Sequence, residues 1–177
     1  MNNALGSRIS LDDLNTSTAL QYNDCVAGLL DSPEVQGLNN FSQHCNTSRL
    51  QHSINVSYYS FLICRSLNLD YRSAARAGLL HDLFLYDWRS EPQPEGKHAF
   101  AHPIVALRNA RSITEINDME ADAIVNHMFP LTPTPPKYRE AYIVSLADKY
   151  CAAAEFFYQW NSKFKFKIKK YLQYFSI

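Results

Sequence analysis

The residues with chemistry to offer are six histidines, His44, His52, His81, His98, His102 and His127, and the aspartates near them. Imidazole is a common metal ligand and titrates close to neutral pH. Asp82 directly follows His81, and Asp148 falls at helical spacing with Ala141, Val144 and Cys151. A carboxylate taken into a core without a partner is costly. No Arg or Lys is spaced to face Asp82 or Asp148 on the same helix faces. A bound cation would compensate them, and imidazole with carboxylate suits Fe, Mn, Co or Zn. The competing reading is ordinary hydrogen-bonded core histidines with no metal.

These residues must be positioned by helices. His52, Val56, Tyr59 and Ile63 share one face of a helix expected over about 50–67. Asn68 ends it, and Asp70 caps a second helix running to about Leu85. Its inner face is Ala74, Ala77, Gly78 and His81, small enough for another helix to approach closely and leave His81 deep. Residues 86–101 read as a loop, after which His102 and Pro103 open a third helix to about Ser112. A fourth is expected over about 117–128, with Ala123, Ile124 and His127 on one side. Phe129–Pro136 is a rigid, extended connector, since Pro fixes φ. A fifth helix follows over about 137–157. Residues 10–40 form one or two short helices, the first capped by Ser10 or by Asp12 and Asp13, the second by Ser32 before Pro33. Gly37–Ser48 is a polar loop, and no segment reads as a strand. The expected fold class is all-α, a single helical bundle.

The segment from Arg49 to Leu83 resembles the opening of an HD-domain metal-dependent phosphohydrolase. That superfamily shows an early His, an adjacent His-Asp pair and a late Asp on a following helix. His52, His81 with Asp82, and Asp148 match in order. Binuclear members add two histidines between the pair and the last Asp. His102, before Pro103, and His127 match these. The gaps are 29, 20, 25 and 21 residues, and the resemblance covers roughly 49–155. It implies one metal on His52, His81, Asp82 and Asp148, and a second on His102 and His127 with Asp82 bridging. It implies two divalent ions per chain (Fe, Mn, Co, Zn or Mg), and a metal-activated water attacking a phosphomonoester or phosphodiester. Asp82 would orient that water. The substrate would be a small phosphorylated compound, a nucleotide among the options. Some family members are di-iron oxygenases with the same six ligands, and others are non-catalytic ligand-binding modules; these are the alternatives. The cyclic-di-GMP branch carries a Gly and a Lys after the pair and a later Gly-Tyr-Pro motif. Here Leu83-Phe84-Leu85-Tyr86 follows the pair, the later motif is absent, and Met128 follows His127.

Four further residues are candidates for substrate contact. Lys149 follows Asp148, and Arg49 lies one turn before His52; each could neutralise phosphate oxygens or serve only the surface. Arg89 and Trp88 follow the His-Asp pair in a loop at the edge of the site, where Trp88 would stack a base or pack in the core. His98, four residues before His102, reads as a phosphate contact, an acid or a solvated loop residue, and His44 as a loop residue.

Composition sets the outer bounds. The chain has 177 residues, 46% hydrophobic, and Lys+Arg equals Asp+Glu at 17, so disorder and a dedicated nucleic-acid partner are disfavoured. Cys25, Cys45, Cys64 and Cys151 form no CxxC pair and read as reduced thiols in a cytoplasmic protein. Neither a signal peptide nor an apolar membrane span is legible. Residues 155–177 hold five Lys, one acid and nine aromatics. They read as a final basic aromatic helix packed on the body, with membrane or nucleic-acid contact as the rival and a homodimer surface as a further expectation. The expected division is an N-terminal extension over 1–48, a metal-binding core over 49–155 and the C-terminal helix over 156–177.

Overall fold

The chain order is α1 (Ser17–Leu30), α2 (Pro33–Gly37), a 3-10 turn (Leu38–Asn40), β1 (Ser42–His44), β2 (Thr47–Ser48), α3 (Arg49–Ser66), α4 (Tyr71–Leu80), α5 (His98–Ile113), α6 (Asp118–Asn126) and α7 (Arg139–Phe175). The computed structural model describes residues 17–44, 47–90 and 98–175, with side chains omitted at 44 and beyond 158. The caps expected at Ser10, Asp12 and Asp13 lie outside the described residues, as does Cys45. The fold is all-α apart from the short antiparallel β1–β2 hairpin, which corrects the expectation of no strand.

Local signals account for the helix boundaries. Ser32, Ser48, Asp70 and Asn117 each cap a helix by accepting from a backbone N–H two or three residues into it. Asn117 and Glu120 form a reciprocal capping box, which sets the start of α6. Asn68 adopts φ 53°, a left-handed conformation that Asn tolerates and that turns the chain out of α3.

α3 lies at the centre, packed against α4 and α7, and Tyr22 of α1 reaches it at Tyr58. Its buried residues therefore spread round the helix, from His52 and Val56 to Phe61 and Cys64, while Ile63, expected inside, is 39% exposed. The α3–α4 contact is backbone-close. A Cβ on Gly78 would lie 2.8 Å from Ser57 Cα and 2.9 Å from Ser57 N. Ser57 Oγ donates to Ala75 O at 2.7 Å and accepts from Tyr22 OH at 3.0 Å, which stitches α1 to the same junction. Arg76 Nε pairs with buried Glu120 at 2.5 Å and ties α4 to α6.

Three expected boundaries shift. α4 ends at Leu80, so His81 and Asp82 occupy the turn after it rather than the helix. α5 begins at His98, not His102, and Pro103 falls inside it. The fifth and C-terminal helices are one continuous α7, with no break near residue 156. Phe156, Phe157 and Tyr158 are exposed, so the start of the tail does not pack its aromatics on the body, and the side chains beyond them lie outside the described residues. No helix among the described residues is long and apolar enough to cross a membrane.

Candidate metal centre

The geometry of the site begins with where each imidazole spends its Nδ1 hydrogen. His81 Nδ1 meets Gly78 O at 2.8 Å, and His127 Nδ1 meets Ile124 O at 2.8 Å. Each ring follows the last residue of its helix and folds back on a carbonyl of the final turn, where carbonyls lack intrahelical partners. His102 Nδ1 meets His98 O at 2.8 Å. A carbonyl only accepts, so these three Nδ1 atoms carry hydrogen and their Nε2 atoms face the site. His52 Nδ1 lies 3.1 and 3.2 Å from the two carboxylate oxygens of Glu155.

The four Nε2 atoms and two carboxylates converge from five segments of the chain. His102 Nε2 and His127 Nε2 are 3.0 Å apart. Asp82 Oδ1 is 3.3 Å from the first and 3.6 Å from the second. His81 Nε2 is 3.6 Å from Asp82 Oδ2 and 3.7 Å from Asp148 Oδ1, which is itself 3.0 Å from His52 Nε2. All six residues expected as ligands are thus brought together. Two sets, His52–His81–Asp148 and His81–Asp82–His127, each have ligand atoms within 4.8 Å of one another.

The electrostatics fit a cation. His81 Nε2 and Asp82 Oδ1 are buried with no hydrogen-bond partner. Burial, then neighbouring His81, pushes His127 down to about 3, so its lone pair is unprotonated at neutral pH. Burial opposes the charged forms of Asp82 and Asp148 too. Charge from His81 on Asp82, and the His52 hydrogen bond on Asp148, still hold both well below the usual carboxylate range. Burial lowers His52, but its hydrogen bonds to Asp148 and Glu155 outweigh it and raise it to about 10. Ionised carboxylates and imidazole nitrogens in a buried cluster form a donor set for first-row divalent metals, which displace the protons that His52 and His81 otherwise hold.

The cluster floors a pocket of about 370 Å³ lined by Asp82, His102, His127 and Asp148 and, at its walls, Gln43, Trp88, Arg89, His98, Met128, Leu131 and Lys149 among others. The residues singled out for substrate contact fare differently. Lys149 reaches the pocket, with Nζ donating to His127 O at 2.8 Å, Ser145 Oγ at 2.9 Å and Ser145 O at 3.1 Å. Arg89 borders the pocket and donates to Ser42 O and Gln43 O at 3.1 and 2.9 Å. His98 is stacked between Trp88 at 4.8 Å and His102 at 4.6 Å, and burial with His102 pushes it down to about 4. Arg49 is not in the pocket wall. It is 0% exposed, donates to Phe84 O at 2.5 Å and lies over the Phe84 ring at 3.5 Å. His44 lies on β1, its side chain outside the described residues.

Two contributors were missed in the sequence. Glu155 accepts from His52 and, at 2.8 Å, from Asn55 Nδ2. Its spacing of seven from Asp148 placed it on the same helix face, a signal hidden by assigning it to the tail. Gln43 donates to Asp82 Oδ2 from the β1 strand, and no spacing in the sequence marks it.

Comparison with known proteins agrees with this arrangement. The family model described as HD domain matches residues 49–153. Ribonuclease Y of Petrotoga mobilis is 30% identical over 104 residues, which cover 59% of this chain. The chain spans only 18% of the length of that relative. No solved structure gives a significant match. With the His-Asp pair and its four distant partners gathered at one buried cluster inside the matched stretch, the chain belongs to the HD domain family, whose members are generally metal-dependent phosphohydrolases.

Proposed function

We propose that this protein is a metal-dependent phosphohydrolase that cleaves a monoester or diester of a small phosphorylated compound, a nucleotide among them. The observation that supports it is the convergence of four imidazole Nε2 atoms on two ionised carboxylates at the floor of a pocket. His52, His81, Asp82 and Asp148 would hold one divalent ion, and His102 and His127, with Asp82 shared, a second. Bound there, such ions polarise phosphoryl oxygens and lower the pKa of water from about 15.7 to about 7.

The chain's own residues supply the rest. Asp82, shared between the two positions and facing the pocket, orients the attacking water. Arg89 carries positive charge at the wall and meets the remaining phosphate oxygens, while Lys149, whose Nζ is held by His127 O, Ser145 O and Ser145 Oγ, adds positive charge beside them. Trp88, Met128 and Leu131 give an apolar wall for the leaving group and exclude bulk water from that side. Arg49, buried beneath Asp82, supports the site from below instead of touching substrate. The relative named as a ribonuclease is consistent with phosphoester cleavage by this kind of arrangement.

The test is elemental analysis of protein purified without chelator, alongside turnover of p-nitrophenyl phosphate and bis(p-nitrophenyl) phosphate. Two metals per chain and hydrolysis of either ester, both lost in Asp82→Ala, are expected. Protein that stays metal-free after reconstitution, or an Asp82→Ala variant that retains turnover, would overturn the reading.

A further inference from the structure

Gln43 lies on β1, outside the stretch that the family model matches, yet its side chain lines the pocket. The orientation of its amide follows from its partners. Arg49 can only donate, and its Nε meets Gln43 Oε1 at 3.0 Å. Nε2 is therefore the amide atom that meets Asp82, and it donates to Oδ2. Arg49 is held in turn by Phe84 O at 2.5 Å and by the Phe84 and Phe41 rings, 3.5 and 4.9 Å from its guanidinium. The strand itself is pinned, since Arg89 donates to Ser42 O and Gln43 O and Arg49 N donates to Phe41 O at 2.8 Å. Two arginines from different segments thus fix one amide, one through its side chain and one through its backbone.

We infer that Gln43 is a positioning residue for the metal site: its amide holds Asp82 Oδ2 and so turns Oδ1 toward His102 and His127. Oδ1 lies 3.3 and 3.6 Å from their Nε2 atoms and has no hydrogen-bond partner, as a ligand atom kept free for a cation would. Without the amide, the carboxylate plane is free to rotate about its Cβ–Cγ bond and to turn its oxygen out of line with the two Nε2 atoms. This inference rests on the two-metal reading of the cluster and adds that a residue outside the matched core tunes its second position.

The full chain, stripped of metal, is titrated with Co²⁺ and followed by visible absorption. The wild type is expected to take two ions. Gln43→Met should bind the second ion about tenfold more weakly or worse, the size usual for loss of an outer partner. Gln43→Asn keeps the amide but is one methylene too short to reach Arg49 and Asp82 together, and the same weakening is expected. Melting of the metal-free proteins identifies any variant that does not fold, and Gln43→Asn then decides the matter. Wild-type binding of the second ion in a folded variant overturns the inference and leaves the two-metal reading standing. A wild type that takes no Co²⁺ overturns both.

Discussion

His102 Nε2 and His127 Nε2 face each other at 3.0 Å, and each ring has given its Nδ1 hydrogen to a main-chain carbonyl. Two lone pairs held this close in a buried site repel unless a cation lies between or beside them. The His127→Ala variant should therefore lose one of two metals per chain and keep the other, because His52, His81 and Asp148 are untouched. Elemental analysis of both proteins checks this, and a variant that still holds two ions would count against the assignment.

Metal removal should lower thermal stability. A ligand that binds only the folded state stabilises it by about 2.7 kcal/mol at a free concentration near 100 Kd. Melting with and without chelator should show a drop of several degrees for wild type and a smaller one for His127→Ala. Occupancy should also fall on acidification, because protons compete for the same imidazole nitrogens.

Glu155 binds His52 Nδ1 with both carboxylate oxygens, opposite the Nε2 that faces Asp148. Outer carboxylates of this kind fix ring orientation and raise ligand basicity. Glu155→Gln should weaken metal binding at the His52 position by about 10–100-fold, with little change in helix content. A titration that shows wild-type affinity at that position would exclude the role.

Gly78 admits no side chain, since its Cβ would meet the backbone of Ser57 at 2.8 and 2.9 Å. Gly78→Ala should force α3 and α4 apart and destabilise the fold by about 1–3 kcal/mol, the usual range for overpacking. The same shift would move His81, three residues on, so metal affinity should fall with stability in denaturant titrations. Wild-type stability in that variant would show that the junction yields.

Burial pushes the Cys64 thiol up from its ordinary 9.0 to about 12. The folded state thus disfavours the thiolate. Its contribution is fully present below about pH 9 and is lost as pH rises toward 12. Stability should decline across that window, and the decline should be smaller in Cys64→Ala when each protein is compared with itself at pH 8. Cys25, Cys64 and Cys151 are all buried and free, so thiol reagents should modify them only on unfolding.

Residue types and their spacing determined the helices, and the resemblance to the HD-domain family supplied the candidate ligand set. Helix faces built on Ala123, Ile124 and His127, or on Ala141, Val144 and Cys151, are legible because 3.6-residue periodicity is a local property. The order of His52, His81, Asp82, His102, His127 and Asp148 was legible from its likeness to the HD-domain signature. Tertiary structure decided what lies behind those ligands. Gln43 reaches Asp82 from a short hairpin 39 residues away, and Glu155 reaches His52 across 103 residues. The reach of Gln43 leaves no trace in local pattern, and that of Glu155 shows only as its spacing of seven from Asp148. Tertiary structure also decided the fate of the two arginines. Arg49 and Arg89 read alike as candidate phosphate contacts, but the fold buries one against Phe84 and leaves the other at the pocket edge. The physical reason is that charge and side-chain length are written in the sequence, while burial depends on which backbone carbonyls and rings the fold brings within reach.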